Sequence, residues 1–424
     1  MNIILLFVST NFVSSLDSQP PPPFMPRKPF LARTLGLVSS LLIASNTKGA
    51  AGLTVPSSSA ETVSLSVATA SPPPIAQVAY KPFSLYMEDV GVRVPVAAWF
   101  PVQPTGLGAS PSTTAATESP ASFSVAYQET TDLFAKYSHR ISIQRICLLL
   151  TGLDVVPKFV ARDFELSPSL GGTVVSGDNL SLPQQGPVVL LAHGYLGSRF
   201  DLSHLAEELA AEGFTCIAPE YPESLAASFQ PLEGLDRARI NNKLLEALQA
   251  NWGIQPSPAR RFGIIGHSLG CGTAMQTGDE TWARVCIAGF PRTERPGNVL
   301  FVSSMNDGAV SLARFGGKSS IPRDFVILDE KDVLEAVATR SRKLPGRSFL
   351  VLDRPDAPNH ISFLSEGVNN AMIDLLSPLL PVARALDVPV LDFDRYQQSR
   401  DSVATARVVH PIIIEYLKQQ MMTA

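Results

Sequence analysis

The pentapeptide Gly266-His267-Ser268-Leu269-Gly270 places a serine between two glycines, in the G-x-S-x-G pattern of a nucleophile elbow. The apolar run Phe262–Ile265 before it predicts a buried strand, and Thr273-Ala274-Met275 after it is compatible with a helix. A serine on such a strand-to-helix turn stands clear of the sheet, and the glycines lack the Cβ atoms that would clash there. The helix start directs N–H groups at developing negative charge. The pattern therefore predicts a nucleophile at Ser268.

A serine nucleophile needs a base and an orienting carboxylate, and after a strand-turn-helix elbow the chain order is serine, acid, histidine. Of the 6 histidines, only His360 and His410 follow Ser268. His360 lies in a loop just past the last predicted strand of the core, which is where the base belongs. His410 falls within a predicted helix. We therefore expect His360 to be the base.

The acid is expected at Asp307, which follows the predicted strand Val299–Ser303. Ligand-binding and catalytic side chains collect at the carboxyl ends of strands in open α/β sheets. An Asp-Gly pair such as Asp307-Gly308 is also common in ordinary turns. Three other aspartates remain as weaker alternatives, namely Asp329, Asp353 and Asp356.

Two backbone N–H groups are expected to form an oxyanion hole. One is that of Leu269, directly after the nucleophile, and the other is that of Tyr195 in the first core loop. We interpret His193 and His267 as residues that brace these loops. Cys271 lies one turn into the helix with no neighbouring base in the sequence, so we interpret it as a packing residue.

The order of elements predicts an α/β fold. Val188–Ala192 is a continuous apolar run, as expected of a strand covered on both faces. Strands alternating with helices indicate a mostly parallel central sheet, flanked by helices and joined by right-handed crossovers. Further strands are expected at Phe214–Pro219, Phe262–Ile265, Val285–Gly289, Val299–Ser303 and Phe349–Leu352, and helices at Asp201–Gly213, Leu232–Trp252 and Thr405–Gln420.

Before the core, Phe83–Met87 and Val92–Phe100 predict two strands, and Pro95 suggests that the second is an edge strand. Residues 103–122 are rich in Pro, Thr, Ser, Ala and Gly and predict a flexible loop. The charged, Gly-containing connection 308–347 predicts a surface loop. Residues 124–162 show helical spacing in places, and we expect this segment to line a pocket beside Ser268. Its apolar residues are Ile143, Ile146, Leu148, Leu149 and Leu150.

Composition places limits on partners and on domain organisation. The chain has 424 residues, 45% of them hydrophobic and 17% charged, with a net charge of −4. This suits one domain, expected over residues 80–424, with non-globular ends. The absence of a basic excess argues against nucleic acid as a partner. The 4 cysteines lack C-x-x-C spacing, so neither a zinc site nor a disulfide framework is expected.

Residues 1–79 are expected to be a targeting leader and linker. Asp17 is the only acidic residue before Glu61, and two short apolar runs, Asn2–Val8 and Leu35–Ala44, flank a proline run and basic residues. Two tandem signals resemble the bipartite leaders of plastid proteins in algae with secondary plastids. The second run is also compatible with a thylakoid-transfer signal. A secretory signal or a membrane anchor is the alternative.

From about Phe83 to the C-terminus the chain resembles the α/β-hydrolases. Within that group it resembles the platelet-activating-factor acetylhydrolase-like and chlorophyllase-like esterases. The segments that carry the resemblance are His193–Ser198, Ala218–Ser224 and Gly266–Gly270. Two positions depart from those subfamilies. Plasma-type acetylhydrolases carry their acid where this chain has Gly289-Phe290, and chlorophyllases tend to have a basic residue where this chain has Leu269.

The resemblance implies the α/β-hydrolase fold and a serine ester hydrolase with no metal or cofactor. The implied triad is Ser268, Asp307 and His360. The implied substrate is a small hydrophobic ester, either an acyl lipid or platelet-activating-factor-like phospholipid, or chlorophyll if the leader delivers the protein to a plastid. Contact with a membrane surface is a further expectation. A non-catalytic binding relative is the contrasting hypothesis, although such relatives usually lose the serine or the histidine.

Overall fold

Short, fully buried strands form the centre of a ten-stranded sheet. The structure, a computed structural model, describes residues 77–102, 135–152, 154, 156–170, 174–258, 260–290, 297–339, 343–377 and 399–422. The expected loop 103–122 and residues 1–76 of the expected leader lie outside these ranges. The first strand begins at Gln77, so residues 77–79 belong to the sheet rather than to the leader.

The strands alternate with helices along the chain, as the sequence predicts. The strands are β1 (Gln77–Met87), β2 (Val92–Val102), β3 (Tyr137–Ser142), β4 (Ala161–Leu166), β5 (Val174–Ser176), β6 (Val188–Ala192), β7 (Thr215–Pro219), β8 (Phe262–His267), β9 (Ala283–Ile287), β10 (Val299–Ser304), β11 (Val326–Asp329) and β12 (Arg347–Leu352). The α-helices are α1 (Ile143–Thr151), α2 (Ser203–Ala211), α3 (Arg237–Trp252), α4 (Leu269–Gln276), α5 (Glu330–Thr339), α6 (Glu366–Leu376) and α7 (Ser402–Met421).

The strand order of the large sheet is β11-β12-β10-β9-β8-β6-β7-β2-β1-β5. Every neighbouring pair from β11 to β7 is parallel, and β2 pairs antiparallel with both β7 and β1. The chain leaves β6 towards β7 on one side and returns to β8 on the other. The point between β6 and β8 is therefore a topological switch point, where a crevice opens beyond the carboxyl ends of the strands.

Two expectations about peripheral segments are wrong, namely a surface loop at 308–347 and an edge strand at Pro95. The connection 308–347 contributes β11 and α5 to the sheet and its flank.

The helical spacing expected in places within residues 124–162 corresponds to α1 in the part of that segment that the structure describes. The strand β3, which precedes α1, pairs antiparallel with β4 in a separate two-stranded sheet. Apolar spacing did not reveal that strand.

Pro95 does not mark an edge strand, because β2 lies between β1 and β7. Pairing between β2 and β7 begins at Val96, one residue beyond Pro95. The carbonyl of Pro95 accepts a hydrogen bond from the amide of Glu220 (2.9 Å). The missing N–H of Pro95 therefore faces the end of the β7 ladder, where its loss costs no strand-to-strand hydrogen bond.

The chain divides by its contacts into two units. One comprises Ala76–Asn369 and Phe393–Ala424 and contains both sheets. The other comprises Met1–Ile75 and Asn370–Asp392, and its described part, residues 370–377, is helical. Within the described ranges, no helix combines the length and the apolar character needed to cross a membrane.

Candidate active site

The predicted elbow forms between β8 and α4. Ser268 is the single residue between them, and its backbone has φ 55° and ψ −116°. A positive φ is costly for a residue with a Cβ atom. Two hydrogen bonds hold it there, from the Ser268 amide to the carbonyl of Ile287 (2.9 Å) and from the Cys271 amide to the Ser268 carbonyl (3.0 Å).

The glycines on either side of the serine permit helix α4 to pack directly on the strands. A Cβ atom at Gly266 would lie 2.1 Å from the carbonyl oxygen of Gly270. A Cβ atom at Gly270 would lie 2.0 Å from the carbonyl oxygen of Ala192. Because both obstacles are backbone atoms, neither can rotate away, so these positions accept only glycine without displacing the helix.

His360 reaches Ser268 from the segment that follows β12. It is the first residue of a 3₁₀ helix, His360–Phe363, whose start is capped by Asn359. Its Nε2 lies 2.9 Å from the Oγ of Ser268. Its Nδ1 lies 2.9 Å and 3.1 Å from the two carboxylate oxygens of Asp307. The carboxylate favours the tautomer with hydrogen on Nδ1, which leaves Nε2 free to accept the serine proton.

Asp307 is fully buried in the turn that follows β10. Burial alone would raise the pKa of this carboxyl group, but His360 and the backbone amides of Val310 and Ala309 outweigh burial and lower its pKa below the usual range. These two amides donate to Oδ1 at 2.7 and 2.8 Å. Asp307 is therefore an ionised, fixed acceptor at neutral pH.

The loop that carries Asp307 and the loop that carries His360 are bonded to each other. The side-chain amide of Asn306 donates to the carbonyl of Pro355 (2.9 Å). The backbone amide of Gly308 donates to the side-chain oxygen of Asn359 (3.3 Å). These contacts fix the distance between the carboxylate and the imidazole independently of the hydrogen bond between them.

The alternative aspartates have other partners. Lys318 contacts both Asp329 (2.9 Å) and Asp353 (2.8 Å) at the surface. Asp356 pairs with Arg400 (3.3 Å). The structure thus brings Asp307 to His360 and directs these three carboxylates elsewhere. The other late histidine, His410, lies within α7 and contacts Glu208 (2.9 Å).

The loop after β6 runs against Ser268. A Cβ atom at Gly194 would lie 3.1 Å from the Cβ of Ser268. The amides expected to form an oxyanion hole, those of Tyr195 and Leu269, follow these two residues directly in the chain. Within the described ranges, neither amide donates a hydrogen bond to another protein group. Both N–H groups thus have no acceptor among the described residues.

His193 braces this loop, in agreement with the sequence interpretation. Its Nε2 accepts from the amide of Tyr221 (2.9 Å), so its Nδ1 carries the hydrogen and donates to the carbonyl of Gly194 (2.8 Å). Burial, reinforced by the charge of Arg237, holds the pKa of His193 well below its usual range. His193 is therefore a neutral donor with a fixed tautomer.

His267 braces the opposite loop. Its Nε2 lies 3.1 Å from the carbonyl oxygen of His360, to which it donates. Burial, with a smaller contribution from His360, lowers the pKa of His267 to about 3. The neutral ring packs 4.9 Å from the His360 ring and supports it without competing for the Ser268 proton.

Sequence reasoning missed Arg237, which begins helix α3 and contacts the loop after β6. Its guanidinium donates to the carbonyls of His193 (2.8 Å) and Gly194 (3.3 Å). No local motif could have revealed it, because the contact joins residues more than forty positions apart. An arginine at a helix start, where positive charge is unfavourable, is the only local anomaly.

Helix α1 lies beside the Tyr195 loop. The hydroxyl of Tyr195 donates to the carbonyl of Leu149 (2.6 Å). Arg145, one turn earlier, donates to the carbonyls of Pro222 and Ser224. Leu149 is half-buried. The side chain of Leu150, also expected to line a pocket, lies outside the described residues. The described ranges contain no group of three or more His, Cys, Asp or Glu side chains that could hold a metal ion.

The sequence of residues 189–414 matches the model of the alpha/beta hydrolase family. This match covers more than half of the chain, and the strand order and elbow agree with it. The protein belongs to the alpha/beta hydrolase family.

Comparison with curated proteins finds no match to this sequence. Two solved structures are similar to the chain. A ferulic acid esterase from Streptomyces cinnamoneus has 17% identity and a TM-score of 0.44, covering 83% of this chain and 92% of that one. XC6422 from Xanthomonas campestris, described as an a/b serine hydrolase without lid, has 14% identity and a TM-score of 0.28. The match covers 52% of this chain and 89% of that one. The family assignment rests on the family match and on the topology, not on these two structures.

The glycines of α4 give a matched test of the close packing at the elbow. Gly270→Ala should lower the free energy of unfolding by about 3 kcal/mol, because the new Cβ meets a carbonyl oxygen. Gly272→Ala, two residues along the same helix, has no atom within 4 Å of its new Cβ. It should raise that free energy by up to about 1 kcal/mol through better helix propensity. Urea unfolding measures the free energy of unfolding of both variants. Equal changes in that free energy for the two variants would contradict the packing argument.

Proposed function

We propose that this protein is a serine carboxylic-ester hydrolase acting on a hydrophobic ester. The observation that carries the proposal is the unbroken hydrogen-bonded chain from the Oγ of Ser268 through the imidazole of His360 to the carboxylate of Asp307. A nucleophile, a base and a charged orienting group in that order are what acyl transfer from an ester to a serine requires.

In the acylation step, the Oγ of Ser268 attacks the ester carbonyl carbon, and its proton passes to the Nε2 of His360. The resulting tetrahedral intermediate carries a negative oxygen. His360 then returns the proton to the alcohol oxygen as the bond between that oxygen and the carbonyl carbon breaks. The alcohol leaves, and the acyl group remains as an ester of Ser268.

In the deacylation step, His360 takes a proton from water, and the hydroxide oxygen bonds to the acyl carbon. The bond to the Oγ of Ser268 breaks as His360 returns the proton to that oxygen. One ester and one water thus give one acid and one alcohol. Asp307 stays ionised throughout and stabilises the imidazolium that forms twice in each cycle.

The amides of Tyr195 and Leu269 are the proposed donors to the negative oxygen. Tyr195 lies in the loop after β6 and Leu269 begins the helix after β8, and neither amide is engaged by another described group. Preorganised backbone donors of this kind need no rearrangement when the charge develops. All of these roles belong to side chains and amides of the chain, so the proposed reaction uses no cofactor.

The hydrophobic character of the substrate is inferred from helix α1. Ile143 and Ile146 anchor it by burial, and Tyr195 bonds its last turn. Leu149 is thereby held half-buried next to the loop that contributes the Tyr195 amide. An apolar wall at that position favours an acyl lipid or another ester with a long apolar group over a small polar ester.

Reaction with a fluorophosphonate tests the proposal directly. The wild-type chain should form a covalent adduct at Ser268, located by mass spectrometry of the digested protein, and should hydrolyse p-nitrophenyl acetate. Ser268→Ala should lose the adduct and at least about 10⁴-fold in kcat, with an unchanged melting temperature, because only an elbow hydroxyl is removed. A wild-type chain that is folded but forms no adduct would be a binding relative rather than an enzyme.

Asp307→Asn should reduce kcat by about 10⁴-fold while the fold is retained. The amide keeps the acceptor for Val310 and Ala309 but presents a donor to the imidazole, which then adopts the tautomer unable to accept the serine proton. Asp353→Asn is the matched control, since its surface ion pair is worth at most about 1 kcal/mol. Turnover of p-nitrophenyl acetate measures both variants, and a dead Asp353→Asn with an active Asp307→Asn would reassign the acid.

Leu149→Ser should reduce kcat/KM about tenfold for a long-chain p-nitrophenyl ester and less than twofold for the acetate. Loss of one leucine contact is worth about 1.5–3 kcal/mol, and only the long acyl chain makes that contact. Leu180→Ser is the control, because Leu180 is an exposed leucine in the turn after β5, an edge strand of the sheet. Phospholipid and chlorophyll a extend the substrate panel. An equal loss on all esters with a lower melting temperature would make Leu149 an ordinary core residue.

A further inference from the structure

The Arg237 guanidinium occupies a pocket of backbone carbonyls behind the proposed oxyanion hole. Its side chain is 12% exposed and pairs with Glu223 (3.1 Å). It lies over the ring of Tyr221, 4.5 Å from the ring centroid. Its remaining donors reach the carbonyls of His193 and Gly194, as described above. A buried arginine with this many directed contacts fixes the groups around it, since each broken bond would leave a polar atom unpaired.

The contact with Gly194 has a geometric consequence. A trans peptide unit is planar, and its carbonyl and N–H point in opposite directions. The carbonyl of Gly194 and the N–H of Tyr195 belong to the same peptide unit, and the chain contains no cis peptide bond in its described part. A donor that holds the Gly194 carbonyl on one side therefore sets the direction of the Tyr195 N–H on the other.

A second contact of Arg237 reaches helix α4. The same guanidinium nitrogen that bonds the His193 carbonyl lies 3.2 Å from the Oγ1 of Thr273. Thr273 lies in α4, and the amide of Leu269 begins that helix. Arg237 thus links the segment that carries one proposed oxyanion donor to the helix that carries the other.

We propose that Arg237 is a positioning residue that sets the direction of the Tyr195 N–H and its distance from the Leu269 N–H. The inference rests on the proposed function, because it assigns these two amides to the oxyanion hole. His193 holds the same Gly194 carbonyl from within the loop, and its ring is in turn held by the amide of Tyr221. Arg237 adds a contact from helix α3, and of the two residues only Arg237 also bonds Thr273 in α4.

The role predicts a selective effect on the transition state. A displaced N–H weakens the bond to the negative oxygen of the intermediate and hardly affects binding of the uncharged ester. Removing an oxyanion donor altogether costs about 10²–10³-fold in kcat, and tilting one should cost less. We expect Arg237→Gln to lower kcat for p-nitrophenyl acetate about 10- to 100-fold, with KM changed less than threefold.

A trifluoromethyl ketone provides a readout that a merely structural role would not move. Its adduct with a serine carries the negative oxygen of the intermediate, so its inhibition constant should rise by the same factor by which kcat/KM falls. Arg237→Lys keeps the charge but places its donors on a single nitrogen, so it should recover part of kcat. Arg239→Gln is the matched control, because Arg239 lies on the same helix but pairs with Asp89 at the surface.

The outcomes separate this inference from the proposed function. A wild-type chain that neither turns over the ester nor reacts with a fluorophosphonate overturns the proposed function. An active wild-type chain together with a folded Arg237→Gln variant of unchanged kcat and unchanged ketone inhibition overturns only the positioning role. If Arg237→Gln does not fold, kcat and ketone inhibition of Arg237→Lys test the positioning role instead. A lower kcat at constant KM supports the role, and wild-type values for kcat and ketone inhibition contradict it.

Discussion

The close approach of helix α4 to the ends of β6 and β8 is the constraint on which the rest of the site depends. The carbonyl oxygen of Ala192 occupies the space that a side chain at Gly270 would need. With that space open, the helix starts directly above the sheet, and Ser268 is forced into a positive φ at its first turn. The loop after β6 then necessarily passes the serine, because β6 and β8 are neighbours in the sheet.

Two independent sets of contacts act on the serine from opposite sides of the switch point. On one side the turns after β10 and β12 are joined through Asn306 and Asn359, which places a buried, ionised Asp307 against His360. On the other side His193 and Arg237 hold the loop that carries Tyr195. The strained serine is thus flanked by elements whose own positions do not depend on it, which is the condition for a preorganised site.

Local chemistry explains which parts of this arrangement could be predicted. The elbow is encoded within five consecutive residues, and the chain order of serine, acid and histidine left few choices for the other two positions. Pro95 and the connection 308–347 were misjudged because composition does not reveal which strands become neighbours. Arg237 was missed for the same reason. Its role depends on a helix start meeting a loop more than forty residues away in the chain, and only the tertiary fold brings them together.

The site consists of residues positioned by the strands of the large sheet and of helix α1, which lies outside that sheet. The residues proposed for bond making follow β6, β8, β10 and β12, so the parallel register of the sheet fixes their spacing. Helix α1 instead belongs to a segment with its own two-stranded sheet, and it reaches the site through Tyr195 and Arg145. Changes in α1 can therefore leave the positions of Ser268, His360 and Asp307 unchanged. Under the proposed ester hydrolysis, this separation assigns substrate preference to α1 and reaction chemistry to the sheet.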